Sequence, residues 1–322
     1  MNNKLYLVIP CYKEEEVLPE TAKRLQQKMQ NLINSQTVSP ASKIVFVNDG
    51  STDRTWEVIQ QLHKANPLFE GINLSRNRGH QNALLAGLMT VKDHADVTIS
   101  MDADLQDDID AIDTMLDKYQ NGCDIVYGVR SKRETDTWFK RTTAEGFYKV
   151  MDWLGAKVVF NHADYRLMSK RALEGLAKFK EVNLFLRGMV PMVGYPSDIV
   201  YYERHERFAG ESKYPLKKML SFAFEGITSL STKPIKIIMT LGISIFVISL
   251  CMLVYFFIRF LTGNTVAGWA SLAVSVWALG GIQLLAIGVI GEYVGKVYLE
   301  TKERPRYIIE QYLHEENIEK ER

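Results

Sequence analysis

The sequence predicts an α/β protein with a mainly parallel sheet, extended by helices that associate with a membrane. Short apolar runs alternate with longer helical stretches through residues 1–165, which is the pattern of repeated β-α-β units. Further along the chain, the runs 235–261 and 266–290 are almost free of charge. Each has at least the roughly 20 residues that a helix needs to cross a bilayer. These observations separate a sheet-containing domain from a membrane segment.

Five strands are predicted in the first part, each as a short apolar run. They cover residues 5–9, 44–48, 71–74, 97–101 and 125–129. Helices are predicted between them, at residues 15–33, 54–64, 81–91 and 109–119. The first strand-to-helix junctions contain neither Gly-x-Gly-x-x-Gly nor Gly-x-x-x-x-Gly-Lys-Ser/Thr, so neither a dinucleotide fingerprint nor a P-loop is predicted. Residues 166–212 are mixed in character, and no element is predicted there.

A membrane-associated segment follows. Residues 214–230 place apolar side chains on one helical face, which favours an amphipathic helix in the membrane interface over an ordinary core-facing helix. The two apolar runs then form a predicted hairpin. Basic residues flank its two ends: Lys217, Lys218, Lys233, Lys236, Lys296, Lys302, Arg304 and Arg306. Because positive charge collects on the cytoplasmic side, both ends and the N-terminal domain are predicted to be cytoplasmic.

The predicted organisation has four parts: a cytoplasmic domain at 1–212, an interface helix at 213–232, a transmembrane hairpin at 233–295 and a charged cytoplasmic tail at 296–322. The N-terminus lacks the layout of a cleavable signal peptide. We therefore expect a multi-pass protein of the plasma membrane. Gly288, Gly291 and Gly295 allow close approach of helices, either within the hairpin or between protomers of a homo-oligomer.

Composition excludes some functions. Lys and Arg total 39 and Asp and Glu total 38, so the charge balance does not indicate nucleic acid as a partner. The three cysteines, Cys11, Cys123 and Cys251, lie far apart. Their spacing predicts neither a metal site nor a disulfide framework.

The segment Asp102-Ala103-Asp104-Leu105-Gln106 follows the fourth predicted strand. In an open parallel sheet, ligands bind beyond the carboxyl ends of the strands. A carboxylate pair there can hold a hard divalent cation, which typically keeps several waters and bridges to substrate phosphates. The segment therefore predicts a metal–diphosphate site, with a solvated loop as the alternative.

Two other predicted strands end in polar segments at the same edge. Ile9-Pro10-Cys11-Tyr12-Lys13-Glu14 ends the first strand, and Asn48-Asp49-Gly50-Ser51-Thr52-Asp53 ends the second. Asp49 is placed to accept hydrogen bonds from a ribose or a base. Turn and N-cap chemistry is the other explanation, and it accounts best for residues 51–53.

These motifs together resemble glycosyltransferase family 2, the inverting enzymes with a GT-A nucleotide-binding fold. The resemblance extends through Ala163-Asp164-Tyr165-Arg166-Leu167 and through Arg207-Phe208-Ala209-Gly210-Glu211-Ser212-Lys213-Tyr214. With the hairpin, the resemblance covers nearly the whole chain. The chain is then similar to the polyprenyl-phosphate glycosyltransferases, which include bactoprenol glucosyltransferases and dolichyl-phosphate mannose synthases. Lys13 stands where the family usually has Asn, and Asn48 where the first Asp of a pair is common.

The resemblance implies roles for particular residues. The nucleotide is expected to contact Pro10, Tyr12, Glu14, Asp49 and Asp102. The metal, Mg²⁺ or Mn²⁺, is expected at Asp102, Asp104 and Gln106. Catalytic roles are expected for Asp104, Asp164 and Arg207. The acceptor phosphate is expected near Arg130, Arg141, Arg207, Ser212 and Lys213. For Asp164, three interpretations stay open: a general base, a group that orients the acceptor, or a partner of Arg166.

The expected function is the inverting transfer of one sugar, glucose or N-acetylglucosamine, from a UDP-sugar to undecaprenyl phosphate at the cytoplasmic membrane face. The expected assembly is a homo-oligomer, for which the resemblance implies a tetramer. A processive polysaccharide synthase is one alternative, although the sequence lacks the Gln-x-x-Arg-Trp motif of those enzymes. A non-catalytic scaffold or lipid-translocation subunit is another, and the intact metal motif argues against it.

Overall fold

The protein is described by a computed structural model, which covers residues 3–131, 162–203, 228, 231–261 and 269–314. The chain divides into two compact units. Within the described residues, the first unit contains 3–131, 162–203 and 304–314. The second contains residue 228 and residues 231–261 and 269–303.

The first unit is built on a sheet of eight strands. They are β1 (Leu5–Cys11), β2 (Lys43–Asn48), β3 (Phe69–Leu74), β4 (Val97–Ser100), β5 (Ile125–Arg130), β6 (His162–Ser169), β7 (Ser197–Tyr202) and β8 (Ile309–Leu313). Their spatial order is β7-β5-β6-β4-β1-β2-β3-β8. The pairs within β4-β1-β2-β3 are parallel, as is β5 with β7. The prediction of a mainly parallel α/β sheet is confirmed, and all five predicted strands are present.

Among the described residues, six helices accompany the sheet. They are α1 (Leu18–Asn34), α2 (Thr55–Ala65), α3 (His80–Val91), α4 (Ala111–Gln120), α5 (Lys170–Leu176) and α6 (Leu186–Met192). Side chains of β1 alternate between two cores, as the period of a strand requires. Leu5 and Leu7 pack with α1, whereas Tyr6 and Val8 pack with α3. Because both faces are covered, the central strands read as continuous apolar runs.

Three strands were not predicted. β6 enters antiparallel between β4 and β5. β7 begins with exposed polar residues, so its sequence lacks the apolar run of a central strand. β8 lies in the segment that the sequence assigns to a charged tail, yet it pairs antiparallel with β3 and forms an edge of the sheet. The last part of the chain therefore belongs to the first unit.

The second unit contains two long helices, α7 (Lys233–Leu261) and α8 (Trp269–Thr301). In the part of the chain that the structure describes, one helical segment, Leu279–Thr301, is long and apolar enough to cross a membrane. It overlaps the predicted span 266–290 but lies further along the chain, and α7 contains the other predicted span, 235–261. Tyr293 donates a hydrogen bond to the carbonyl of Ser231, at 2.5 Å. The predicted interface helix falls outside the described residues.

Candidate active site

The metal motif forms a tight loop at the carboxyl end of β4. Asp104 and Gln106 are both buried, and the Asp104 carboxylate accepts a hydrogen bond from the Gln106 N–H, at 3.1 Å. Leu105 between them has φ of +58°, a left-handed conformation that is strained for a bulky residue. The side chain of Asp102 is more open, with 34% exposed. Asp102 is therefore the most accessible of the predicted metal ligands.

The antiparallel pairing of β6 with β4 brings Asp164 to this loop. Ser100 pairs with Arg166, so Asp164 lies across from the residues that follow β4. His80, the first residue of α3, lies between the two carboxylates. Its Nε2 is 3.5 Å from an Asp102 oxygen and 3.5 Å from an Asp164 oxygen. Three separate segments thus place charged groups at one point.

Asp164 is the anionic centre of a buried charge network. Arg166 donates to its Oδ1 at 2.5 Å, and Arg187 of α6 donates to its Oδ2 at 3.2 Å. Burial alone raises the pKa of Asp164, but the hydrogen bond with His80 and the charges of Arg187 and Arg166 outweigh it and hold the pKa well below its usual range. Asp164 is therefore ionised and a weak base. Of the three interpretations of Asp164, its pairing with Arg166 is observed.

A second buried acid lies behind the metal motif. Tyr202 donates a hydrogen bond to Asp107 at 2.5 Å, and Arg130 lies 3.8 Å from the same carboxylate oxygen. Burial and the charge of Asp102 raise the pKa of Asp107 to about 6. Arg130 at the end of β5 also donates to the Tyr202 oxygen, at 3.3 Å. Arg130 is thus held beside the predicted metal site.

The predicted nucleotide residues lie at the carboxyl ends of β1 and β2. Pro10 is buried, and Tyr12 is 44% exposed. Asp49 is 2% exposed, and its two oxygens accept the N–H groups of Arg78 and Gly79 at 2.7 and 2.8 Å. Asp49 therefore holds the loop that leads into α3.

Tight packing fixes the position of that loop. Gly50 has φ of +60°, and a Cβ at this position would lie 2.5 Å from the Arg76 carbonyl carbon. Glu14 is positioned by its N–H, which donates to the Thr55 hydroxyl at 3.0 Å. The 49–53 segment thus packs against the loop before α3. Thr55, just after this segment, contacts Glu14 at the end of β1. Asp53 accepts the N–H of Thr55 at 3.2 Å, which confirms turn chemistry for that residue.

Sequence reasoning missed two site residues, His80 and Arg187. His80 follows the end of β3, so the strand-end rule that identified Asp102 also applied to it. Arg187 had no such signal, because its position depends on α6 and on the pairing of β6. Other predicted residues lie outside the described part of the chain: Arg141, Arg207, Ser212 and Lys213.

A carboxylate-bearing loop beyond the central strands of a mainly parallel α/β sheet is the arrangement of a GT-A-like α/β fold. The model of the family "Glycosyl transferase family 2" matches residues 6–176. The chain belongs to glycosyltransferase family 2.

Relatives extend the match to nearly the whole chain. The uncharacterized glycosyltransferase YkoT of Bacillus subtilis (strain 168) is 53% identical over 98% of this chain and 93% of its own length. The bactoprenol glucosyl transferase of Shigella phage SfV is 42% identical over 95% of this chain and 98% of its own. Among solved structures, glucosyl-3-phosphoglycerate synthase from Mycobacterium tuberculosis aligns with a TM-score of 0.45 at 14% identity, over 72% of this chain and 79% of that one.

Proposed function

We propose that this glycosyltransferase transfers a single sugar from a UDP-sugar to undecaprenyl phosphate at the cytoplasmic face of the membrane, with inversion at the anomeric carbon. The sugars we favour are glucose and N-acetylglucosamine. The observation that carries the proposal is the meeting of Asp102, His80 and Asp164 at the sheet edge that also bears Asp49. The relative named bactoprenol glucosyl transferase supports a polyprenyl phosphate as the acceptor.

A divalent cation, Mg²⁺ or Mn²⁺, is proposed at Asp102, Asp104 and Gln106. All three supply oxygen donors, the ligand type that such cations prefer. Burial raises the pKa of Asp102, the charge of His80 opposes the rise, and the charges of Asp164 and Asp104 add to it. A bound cation would offset the charges of these neighbouring carboxylates. When bound, the cation neutralises charge on the leaving diphosphate. No group of three or more His, Cys, Asp or Glu side chains suited to a metal occurs among the described residues, so an amide and substrate oxygens belong to the proposed ligand set.

The nucleoside is proposed to bind across the ends of β1 and β2, between Pro10, Tyr12, Glu14 and Asp49. Tyr12 offers an exposed ring on which a base can stack. Asp49 already accepts two backbone N–H groups, but a carboxylate has about four lone-pair sites. It therefore retains acceptor capacity for a ribose hydroxyl or a base N–H.

The reaction is proposed as one displacement. An oxygen of the acceptor phosphate forms the new bond to the anomeric carbon, while the bond from that carbon to the UDP oxygen breaks and its electron pair leaves with UDP. A phosphate monoester is largely ionised near neutral pH, so the nucleophile needs no base. This agrees with the low pKa of Asp164. We assign Asp164 the role of orienting Arg187 and His80 rather than that of removing a proton.

The acceptor phosphate is proposed to meet Arg130, Arg141, Arg207, Ser212 and Lys213. The planar fork of arginine suits phosphate oxygens. Arg130 is the member of this set whose position is described. Its guanidinium lies 3.8 Å from the carboxylate of Asp107, the residue that follows the metal motif. Arg207 precedes the proposed interface helix in the sequence, which is the reason that we include it in the proposed contact with the lipid phosphate.

Membrane association is proposed through both long helices, as a hairpin with cytoplasmic ends. Apolar side chains on both are exposed to more than half of their surface: Met239, Ile243, Ile248, Ile258, Leu272, Val276, Leu284 and Ile287. Exposed apolar surfaces of this kind mark contacts with a membrane or with another protein, and we favour lipid for them. A Cβ added at Gly288, Gly291 or Gly295 would meet no described atom within 4 Å, so we favour contacts between protomers of a homo-oligomer for this face.

The test is sugar transfer by the full chain in lipid nanodiscs that contain undecaprenyl phosphate, Mg²⁺ or Mn²⁺, and a radiolabelled nucleotide sugar. We expect label in the lipid fraction from one UDP-sugar, loss of transfer with EDTA, and a product with one sugar per lipid. Asp104→Asn should lose at least about 100-fold in kcat, as removal of charge stabilisation does, whereas Asp113→Asn on α4 should keep activity. Full activity of Asp104→Asn would contradict the proposed metal site. Chains of sugar would favour the processive synthase, and no transfer from any donor would contradict the proposal.

A further inference from the structure

The C-terminal strand β8 is connected by side-chain hydrogen bonds to the loops at the ends of β1 and β2. Asn73 of β3 donates to the Glu310 carboxylate at 2.8 Å. Asn48 of β2 donates to the Asn73 side-chain oxygen at 2.7 Å. The Asn48 side-chain oxygen in turn accepts the N–H of Ser51, at 3.3 Å, and the Ser51 hydroxyl accepts the N–H of Lys13, at 3.1 Å. These contacts form one continuous path, which we call the amide relay.

The two ends of the amide relay determine the orientation of both amides. The backbone N–H of Ser51 can only donate, and the ionised Glu310 carboxylate can only accept. The Asn48 oxygen must therefore face Ser51, which directs its NH₂ group to Asn73. The Asn73 oxygen must then face Asn48, which directs its NH₂ group to Glu310. Each orientation agrees with that of its neighbour, so a repulsive contact at one end displaces the next side chain from its partner in the relay.

Burial makes the middle of the relay costly to break. Asn48 is 2% exposed, and an unpaired polar group at such a site costs about 1–3 kcal/mol. β8 itself is held by pairing with β3 and by Tyr312, which donates to the buried Glu70 at 2.7 Å. The Glu310 carboxylate therefore lies on a strand that contacts outside the relay hold in place.

We propose that Glu310 and Asn73 are positioning residues for the nucleotide, which act through Asn48 on the 49–53 loop and through Ser51 on the end of β1. The inference rests on the proposed nucleotide site, because those two loops carry Asp49 and Tyr12. It assigns to the C-terminal strand a part in donor binding, although the strand lies about 260 positions from the 49–53 loop and about 300 from the end of β1 in the sequence.

The test measures UDP binding by calorimetry on the full chain in nanodiscs, and KM for the donor separately from kcat. Asn73→Asp keeps an acceptor for Asn48 but places a second carboxylate against Glu310. Repulsion between the two carboxylates should displace residue 73 from Asn48 and weaken UDP binding about three- to tenfold, the value of one hydrogen bond, with kcat retained. Glu310→Gln keeps an acceptor oxygen and should stay within about twofold. The double variant Asn73→Asp, Glu310→Gln reverses the polarity of that contact, because the new amide can donate to the new carboxylate, and should recover the affinity.

Tyr312→Phe is the structural control, since it removes an anchor of β8 outside the relay. It should lower the melting temperature and leave UDP affinity unchanged. If Asn73→Asp fails to fold, Glu310→Ala replaces it, with a loss of about two- to threefold expected. The inference is overturned if the variant that folds binds UDP with wild-type affinity, or if the folded double variant does not recover it. Either result leaves the proposed nucleotide site standing. Failure of the wild-type chain to bind UDP overturns the proposed nucleotide site with it.

Discussion

At the scale of single residues, the two departures from the family pattern have different physical consequences. Asn48 uses both ends of its amide, one toward Asn73 and one toward Ser51. An aspartate there has no N–H to donate, so Asn73 would have to turn. Lys13 has φ of +56°, a left-handed conformation in which asparagine is favoured over lysine. Asn48 therefore fits its surroundings, and Lys13 carries local strain.

Relief of that strain is measurable. Lys13→Asn should raise the free energy of unfolding by about 0.5–1 kcal/mol, because asparagine tolerates the left-handed region better. The hydrogen bond from the Lys13 N–H to the Ser51 hydroxyl uses only the backbone of residue 13 and is retained. Denaturant unfolding of the full chain in detergent gives the difference. Lys180→Asn, at an exposed lysine without a positive φ, should change nothing, and a destabilised Lys13→Asn would contradict the argument.

Asp164 is predicted to stabilise the first unit through its charge. Asp164→Asn leaves Arg166, which is 1% exposed, without its carboxylate partner and should cost about 3–5 kcal/mol at neutral pH. Because the folded pKa of Asp164 lies below that of the unfolded chain, its contribution is complete above about pH 4 and is lost as the pH falls through the folded value. Unfolding of both proteins between pH 5 and pH 3 should show the difference shrinking with acid. A difference that grows with acid would contradict the charge network.

The sequence predicted the positions of those candidate residues whose place depends on a strand end alone. Asp102, Asp104 and Asp49 follow predicted strands, and the structure places them at one edge of the sheet. Arg187 could not be found this way, since it reaches Asp164 only through the antiparallel pairing of β6 and the placement of α6. Local patterning contains no record of such long-range pairing. His80 also follows a strand end, that of β3, but the segment around it matches no known motif. The strand-end rule therefore has to be applied to every such segment, including those without a motif.

At the scale of elements, α3 determines where His80 lies, and close packing determines where α3 lies. A Cβ added at Gly87 would be 2.5 Å from a methyl carbon of Val8 and 2.7 Å from one of Val47. The helix can therefore approach β1 and β2 only because position 87 has no side chain. The N-terminal end of the same helix carries His80 to the carboxylates.

Gly87→Ala separates packing from helix propensity. In an exposed helix this change stabilises by about 1 kcal/mol. Here the methyl group overlaps the sheet, so we expect a loss of about 1–3 kcal/mol, the usual cost of overpacking, together with reduced transfer as α3 shifts. Thermal unfolding and kcat of the purified chain measure both effects. Higher stability in the variant would show that α3 does not pack at this distance.

The elements that could be predicted are those buried on two faces. β1 to β5 read as apolar runs because helices cover both sides of them. β8 is an edge strand of five residues with exposed Glu310 and Gln311, so it resembles a solvated tail. Its pairing with β3 depends on a contact across more than 230 residues, which no local pattern carries.

At the scale of the whole molecule, the connectivity restricts any membrane topology. The chain leaves the sheet after β7, forms α7 and α8, and returns to the same sheet as β8. Since β8 pairs with β3, both ends of the helical segment must be on the side of the membrane where the sheet lies. An odd number of crossings is incompatible with that pairing. Leu279–Thr301 is one candidate span, so a second crossing is required if the first exists. Among the described residues of the second unit, α7 is the other long helix.

Labelling of single cysteines with a membrane-impermeant maleimide tests this parity. In a background with Cys123→Ser and Cys251→Ser, where Cys11 is buried, cysteine is introduced at Lys64 of α2, at Asn264 between the predicted spans and at Lys320 near the C-terminus. We expect the probe at position 264 to react in intact cells and the probes at 64 and 320 to react only after lysis. Labels at 64 and 320 on opposite sides would contradict the β3–β8 pairing. Protection at all three positions would instead mean that the helices do not cross the membrane, while leaving that pairing intact.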